Sequence, residues 1–172
     1  MKQAFKALIV LPVCLVLTSC VRNSGPTVHN YIYLEEQPVQ MITSILVFSP
    51  ELPAYIPIHA TSKTASLESY DQGKEKFQEA TMHYRNETKK QLLNLIITND
   101  DGRIYTEEKL AFGKNKIDLN SLIHAYYEED EDAQSLWWIK DHLTYRFVYF
   151  INDGQPRLDR QELIDAANST KK

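Results

Sequence analysis

The residues able to do chemistry are few and scattered. The chain has two cysteines, Cys14 and Cys20, and five histidines. His29, His59, His83, His124 and His142 are never three or four positions apart, so no turn of helix can present two of them to a metal. The patterns G-x-S-x-G, H-E-x-x-H and the phosphate loop are missing. Five glycines also leave little material for a loop that wraps phosphate with backbone N–H groups. An EF-hand needs its glycine sixth and an oxygen ligand first. Counting back from Gly102 and Gly154 puts Ile97 and Tyr149 first, and neither binds calcium. The reading is a protein that is not an enzyme and has no metal site.

Two neighbouring features suit binding instead. Glu128, Glu129, Asp130, Glu131 and Asp132 form an acidic run, expected to be a solvated loop that faces a basic partner. Trp137 and Trp138 follow. In an extended segment adjacent side chains point to opposite faces, so one ring enters the core and the other faces out. An outward Trp beside an acidic loop is a natural anchor, because Trp is enriched at binding hot spots. These seven residues are the candidate partner-binding set. The alternative is that both rings pack beneath the loop.

These elements need a positioning frame, and the amino end indicates where the frame sits. In MKQAFKALIVLPVCLVLTSC, Lys2 and Lys6 precede an uncharged apolar run from Ala7 to Leu17. As a helix this run covers about 16 Å, roughly half the hydrocarbon thickness of a bilayer. It reads as a signal segment, residues 1–19, and not as a membrane span. Leu17-Thr18-Ser19-Cys20 resembles the lipobox of bacterial lipoproteins. The resemblance implies a diacylglyceryl group on the Cys20 sulfur, cleavage before Cys20 and acylation of the new amino terminus. Val21 in place of Asp resembles the enterobacterial pattern for transfer to the outer membrane, which implies a location in the cell envelope facing the periplasm. Each buried methylene contributes about 0.8 kcal/mol, so two or three chains hold firmly where one would not. Cys14 leaves with the leader, and no thiol remains for a disulfide. No cofactor is expected beyond the covalent lipid.

The chain has 172 residues, enough for one domain with its own core. Hydrophobic residues at 43% and charged residues at 24% exclude wholesale disorder. A net charge of -4 argues against a nucleic-acid partner. Residues 20–30 read as a lipidated tether, 31–167 as one β-rich domain and 168–172 as a disordered tail. Gln40 to Phe48 reads as a central strand and residues 60–75 as a loop. Phe77 to Tyr84, Leu92 to Thr98 and Ile104 to Phe112 read as strands, with a tight turn at Asp101-Gly102. Abundant Lys and Glu over 74–96 keep a helix open there. Leu122 to Tyr127 suggests a turn or two of helix, and Leu143, Tyr145, Phe147 and Tyr149 a strand. Asp159 and Glu162 have the capping-box spacing of a short final helix, with Leu158 and Leu163 as its staple.

The expected fold is mainly β: an antiparallel β-sandwich with a short C-terminal helix, similar in architecture to immunoglobulin-like or transthyretin-like domains. In size, anchor and expected sandwich the chain is similar to the outer-membrane lipoprotein of type VI secretion and to lipidated pilotins, which escort secretins. That likeness implies a docking or assembly component of a secretion system, with a protein partner in the envelope and the membrane reached through the anchor. The competing expectation is an inhibitor or immunity lipoprotein that caps a toxic enzyme, its acids matching a basic surface.

Overall fold

The alternation of Leu143, Tyr145, Phe147 and Tyr149 lies at the centre of a large sheet. A computed structural model describes residues 28–72, 74–100, 106–111, 113–120, 123–152 and 154–171. The signal segment, Cys20, most of the tether and the Asp101-Gly102 turn lie outside the described residues. In chain order the elements are β1 (Val28–Pro38), α1 (Val39–Ser44), β2 (Leu52–Pro53), β3 (Ser62–Gln72), β4 (Glu75–Asn86), β5 (Gln91–Thr98), α2 (Glu107–Ala111), β6 (Asn115–Asn120), β7 (Ile123–Glu129), β8 (Ala133–Lys140), β9 (Leu143–Phe150), α3 (Arg160–Asn168) and β10 (Thr170–Lys171).

The protein is mainly β. Eight strands form one sheet in the order β1-β3-β4-β5-β9-β8-β7-β6. All its ladders are antiparallel. β10 pairs with β2 in a separate two-stranded ribbon. The inner face carries the core: Ala80, Met82 and Tyr84 on β4, Leu93, Leu95 and Ile97 on β5, Leu136 and Trp138 on β8, and the β9 alternation. The Trp138 ring stacks on Tyr145 at 5.1 Å between centroids and meets Phe147 at 5.3 Å. Ile42, the 45–60 segment and the Leu163, Ala166 and Ala167 side of α3 cover this face. Gln134, on the inner face of β8, fixes the approach to α3. It donates to the Leu158 carbonyl at 3.0 Å and accepts from the Leu158 N–H at 2.8 Å.

Several expected elements differ. Gln40 to Phe48 is not a central strand. Pro38 ends β1 because it has no N–H for a ladder, and residues 39–44 turn into α1. Ile42 alone in that helix is buried, while the Thr43 and Ser44 hydroxyls donate to the carbonyls of Val39 and Met41. The 60–75 loop is instead β3, paired along its whole length with β4. Of its inward residues Ala65, Leu67 and Ser69, the small Ala65 and the polar Ser69 mask the two-residue period. Residues 74–96 are two strands joined by a turn, β4 and β5, which removes the helical alternative. Within 104–112 the described residues form the short helix α2, whose Leu110 lies on the outer face against Tyr126 and Trp137. The helical turns expected after Leu122 are β7, and the acidic run is the end of β7 plus the turn into β8. The chain end, expected to fray, pairs as β10, with Thr170 buried. Sheet structure starts at Val28, inside the expected tether. The capping box at Asp159 and Glu162 is present.

Candidate binding surfaces

Trp137 and Trp138 point to opposite faces, as their adjacency requires. Trp138 is core, but Trp137 is only 6% exposed. On the outer face its ring lies beneath two cations of this same chain, with the Arg146 guanidinium 4.0 Å and the Lys114 amine 5.0 Å from the ring centroid. Both distances suit cation–π attraction. The indole Nε1 donates to Glu128 Oε1 at 2.9 Å. Glu128 also lies 3.7 Å from Lys114 and 3.6 Å from Arg146, so one acid bridges both cations. Beside the ring is a cavity of about 70 Å³ lined by Glu79, Ile96, Thr98, Trp137, Thr144 and Arg146. That is room for a water or two, at ~30 Å³ each in the liquid, and no more. Burial, and then Glu68, pushes the Glu79 carboxyl above its ordinary range, with Arg146 working in the opposite direction.

Most of the acidic run is also engaged within the chain. Glu129 accepts from Arg157 at 2.6 Å and from the Tyr127 hydroxyl. Asp130 Oδ1 accepts from the N–H groups of Asp132 at 2.9 Å and Ala133 at 2.7 Å, which closes the β7–β8 turn. Glu131 and Asp132 remain exposed. The structure thus brings Trp137 and Glu128 together and places Trp138 on the opposite face of the sheet.

On the outer face of β3, β4 and β5, His83 Nδ1 lies 3.0 Å from Asn94 Oδ1 and its Nε2 lies 3.1 Å from Ser66 Oγ. An amide oxygen can only accept, so in the neutral ring the proton sits on Nδ1 and Nε2 accepts from the serine. A serine–histidine relay uses the same bonds. Here Ser66 is buried, and the trio links β3, β4 and β5 through side chains.

No protein-family model, curated protein or solved structure matches the chain.

Among the described residues, most of the large exposed apolar side chains lie at or near the first strand. Tyr31 is 59% exposed, and Ile32 and Tyr33 are also open. Met41, Ile45 and Val47 are exposed in α1 and the segment after it. Ile32 is opposite Ser69, which is opposite Gln78. Gln78 Oε1 accepts from the Val47 N–H at 2.7 Å, so Ile32 and Val47 flank one row of the sheet. β1 is an edge strand with two bulges, one between His29 and Ile32 and one between Leu34 and Gln37. Asn30 adopts φ 55° at the first bulge. Such irregularities weaken an edge as a backbone template. Glu36 ties the strand down: it accepts from Arg85 at 2.6 Å and Thr64 at 2.6 Å. The Tyr-Ile-Tyr string was the signal for this surface. It is easily missed because alternating apolar residues near a chain start also suit an ordinary buried strand.

Proposed function

We propose that the chain is a lipid-anchored envelope protein that docks a protein partner without catalysis, as an assembly component of the secretion-system kind. Acyl chains on Cys20 hold it, at the outer membrane and facing the periplasm. The observation that carries the docking role is the exposed Tyr31, Ile32 and Tyr33 set at the edge strand, with Met41, Ile45 and Val47 beside it. Tyr33 is opposite Glu68 and Tyr31 meets the same Glu68, while Ile32 is opposite Ser69 on the side of Val47, so the apolar side chains wrap both faces of one edge. Exposed apolar side chains gathered at an edge mark an interaction site, and tyrosines anchor interfaces with little entropy loss. The bulges point to side-chain docking rather than strand addition. The sheet begins at Val28, so the span from Cys20 is at most about 30 Å even when fully extended. The docking edge therefore stays near the bilayer.

The inhibitor reading has less support, because Glu128, Glu129 and Asp130 are satisfied by groups of the same chain. A sandwich-like domain of immunoglobulin-like or transthyretin-like kind is supported by the antiparallel pattern and the covered inner face. In that reading, loop and helix take the place of a second large sheet.

Fractionation tests the anchor. Cys20→Ser is expected to keep its melting temperature and move from the membrane pellet to the soluble fraction; continued pelleting defeats the anchor. The double variant Tyr31→Ser, Tyr33→Ser is expected to stay folded and membrane-bound while losing its co-isolated envelope partner. Unchanged co-isolation defeats the surface assignment.

A further inference from the structure

Between α1, the 52–60 segment and the first two strands of the β3–β5 meander lies a cavity of about 450 Å³. It is about three times the size of an engineered apolar cavity that admits benzene, and within the ~300–1,000 Å³ range of small-molecule sites. Leu52, Ile56 and Ile58 give it aliphatic walls, and Tyr84 closes one side. Lys63 and His59 line it as well, and both are exposed.

Charge makes the cavity selective. Several other cations meet acids of the same chain: Arg85 meets Glu36, Lys114 meets Glu128, Lys140 meets Glu51 and Arg157 meets Glu129. Lys63 and His59 have no such acid among the described residues, and no described lining residue is acidic. Burial pushes the Tyr84 hydroxyl up to about 12, so the wall it forms stays neutral. The cavity therefore combines an apolar body with a cationic mouth. A small polar anion would leave the aliphatic walls unused, and an uncharged alkane would leave the mouth unused. Each methylene placed against those walls contributes about 0.8 kcal/mol.

We propose that this cavity binds a single-chain anionic amphiphile, with its alkyl chain along Leu52, Ile56 and Ile58 and its carboxylate against Lys63 and His59. The site uses nothing of the Cys20 anchor or the Tyr31 edge, so it can fail without them and they can fail without it.

The test uses the full chain carrying Cys20→Ser, free of detergent, with dodecanoate below its aggregation range as the probe. Titration calorimetry is expected to show saturable one-site binding, with dodecan-1-ol at least about tenfold weaker, since a charge-assisted bond is lost. Lys63→Gln is expected to weaken dodecanoate about tenfold and leave dodecan-1-ol unchanged. Ala60→Phe, which fills the cavity, is expected to abolish binding of both while the protein still melts cooperatively. If that variant does not fold, the Lys63 comparison decides alone. Absence of saturable binding, equal affinity for acid and alcohol, or an unchanged Lys63→Gln variant would each overturn the proposal.

Discussion

Arg85, then Thr64, holds the Glu36 carboxyl down at about 2, well below its ordinary 4.5. The lowered value means that the ionised form binds better in the folded chain than in the unfolded one. The contribution is fully present above pH 4.5 and is lost as pH falls towards 2. The Glu36 side chain is 40% exposed, so solvent screens the pair and its worth is about 1 kcal/mol or less. Glu36→Gln is expected to melt slightly below the parent at pH 7 and level with it near pH 2. A constant gap across that window in thermal melts would show that the pair contributes nothing through charge. At this scale the sequence told part of the story. Adjacency was enough to send Trp137 and Trp138 to opposite faces. It could not show that Trp137 is sealed, because the β8–β9 register sets Arg146 opposite it and Lys114 reaches it only once β6, β7 and β8 have paired.

Among the elements, α3 was the most legible, because its boundary is written in local chemistry. The Asp159 side chain accepts from the Gln161 N–H at 2.9 Å, and Glu162 reaches back to the Asp159 N–H at 3.2 Å. Asp159→Ala is expected to cost about 1 kcal/mol, read from denaturant midpoints at unchanged slope. A change of under about 0.3 kcal/mol would mean that Leu158 and Leu163 hold the helix unaided. β4, β5 and β9 were legible because large apolar side chains alternate along them. β3 was not, because a small Ala65 and a polar Ser69 face inward and break the alternation of large apolar side chains. α1 was misread for the opposite reason. Its apolar residues are numerous, yet Met41 and Ile45 bury little, and a short apolar run fits helix and strand equally well. The acidic run reads as solvated because charge normally belongs there, and residues 129–132 are exposed; what the sequence hides is that Arg157 and the turn's own N–H groups also engage Glu129 and Asp130.

The whole molecule depends on how the inner face is covered. One large sheet needs a lid across its core, and the 45–60 segment supplies much of it. The Glu51 N–H donates to the Tyr145 hydroxyl at 3.1 Å, and the Glu51 carboxylate pairs with Lys140. Glu51 is buried, so Tyr145→Phe leaves an N–H with no acceptor there. The expected cost is about 1–3 kcal/mol, with faster amide exchange across 48–56 than in β5. Uniform acceleration in both would place the effect in global unfolding rather than in the cover. The strands were readable only in part, since β3 reads as loop and β7 as helix in the sequence, and the partition of strands between sheets leaves no local pattern at all. Pairing of β5 with β9 spans a long stretch of chain, and no local pattern records it.

That long-range ladder also divides the sheet. β3 to β5 pair as consecutive neighbours, and so do β6 to β9. The two lengths join at β5 and β9, with β10 reaching back to clasp β2. A chain severed between Thr98 and Asn115 would keep every hairpin on one fragment or the other and leave these two ladders to reform, together with the bonds of Glu51 to Tyr145 and Lys140. That suits the protein to fragment complementation, with reassembly of separately made pieces as the reporter of their encounter.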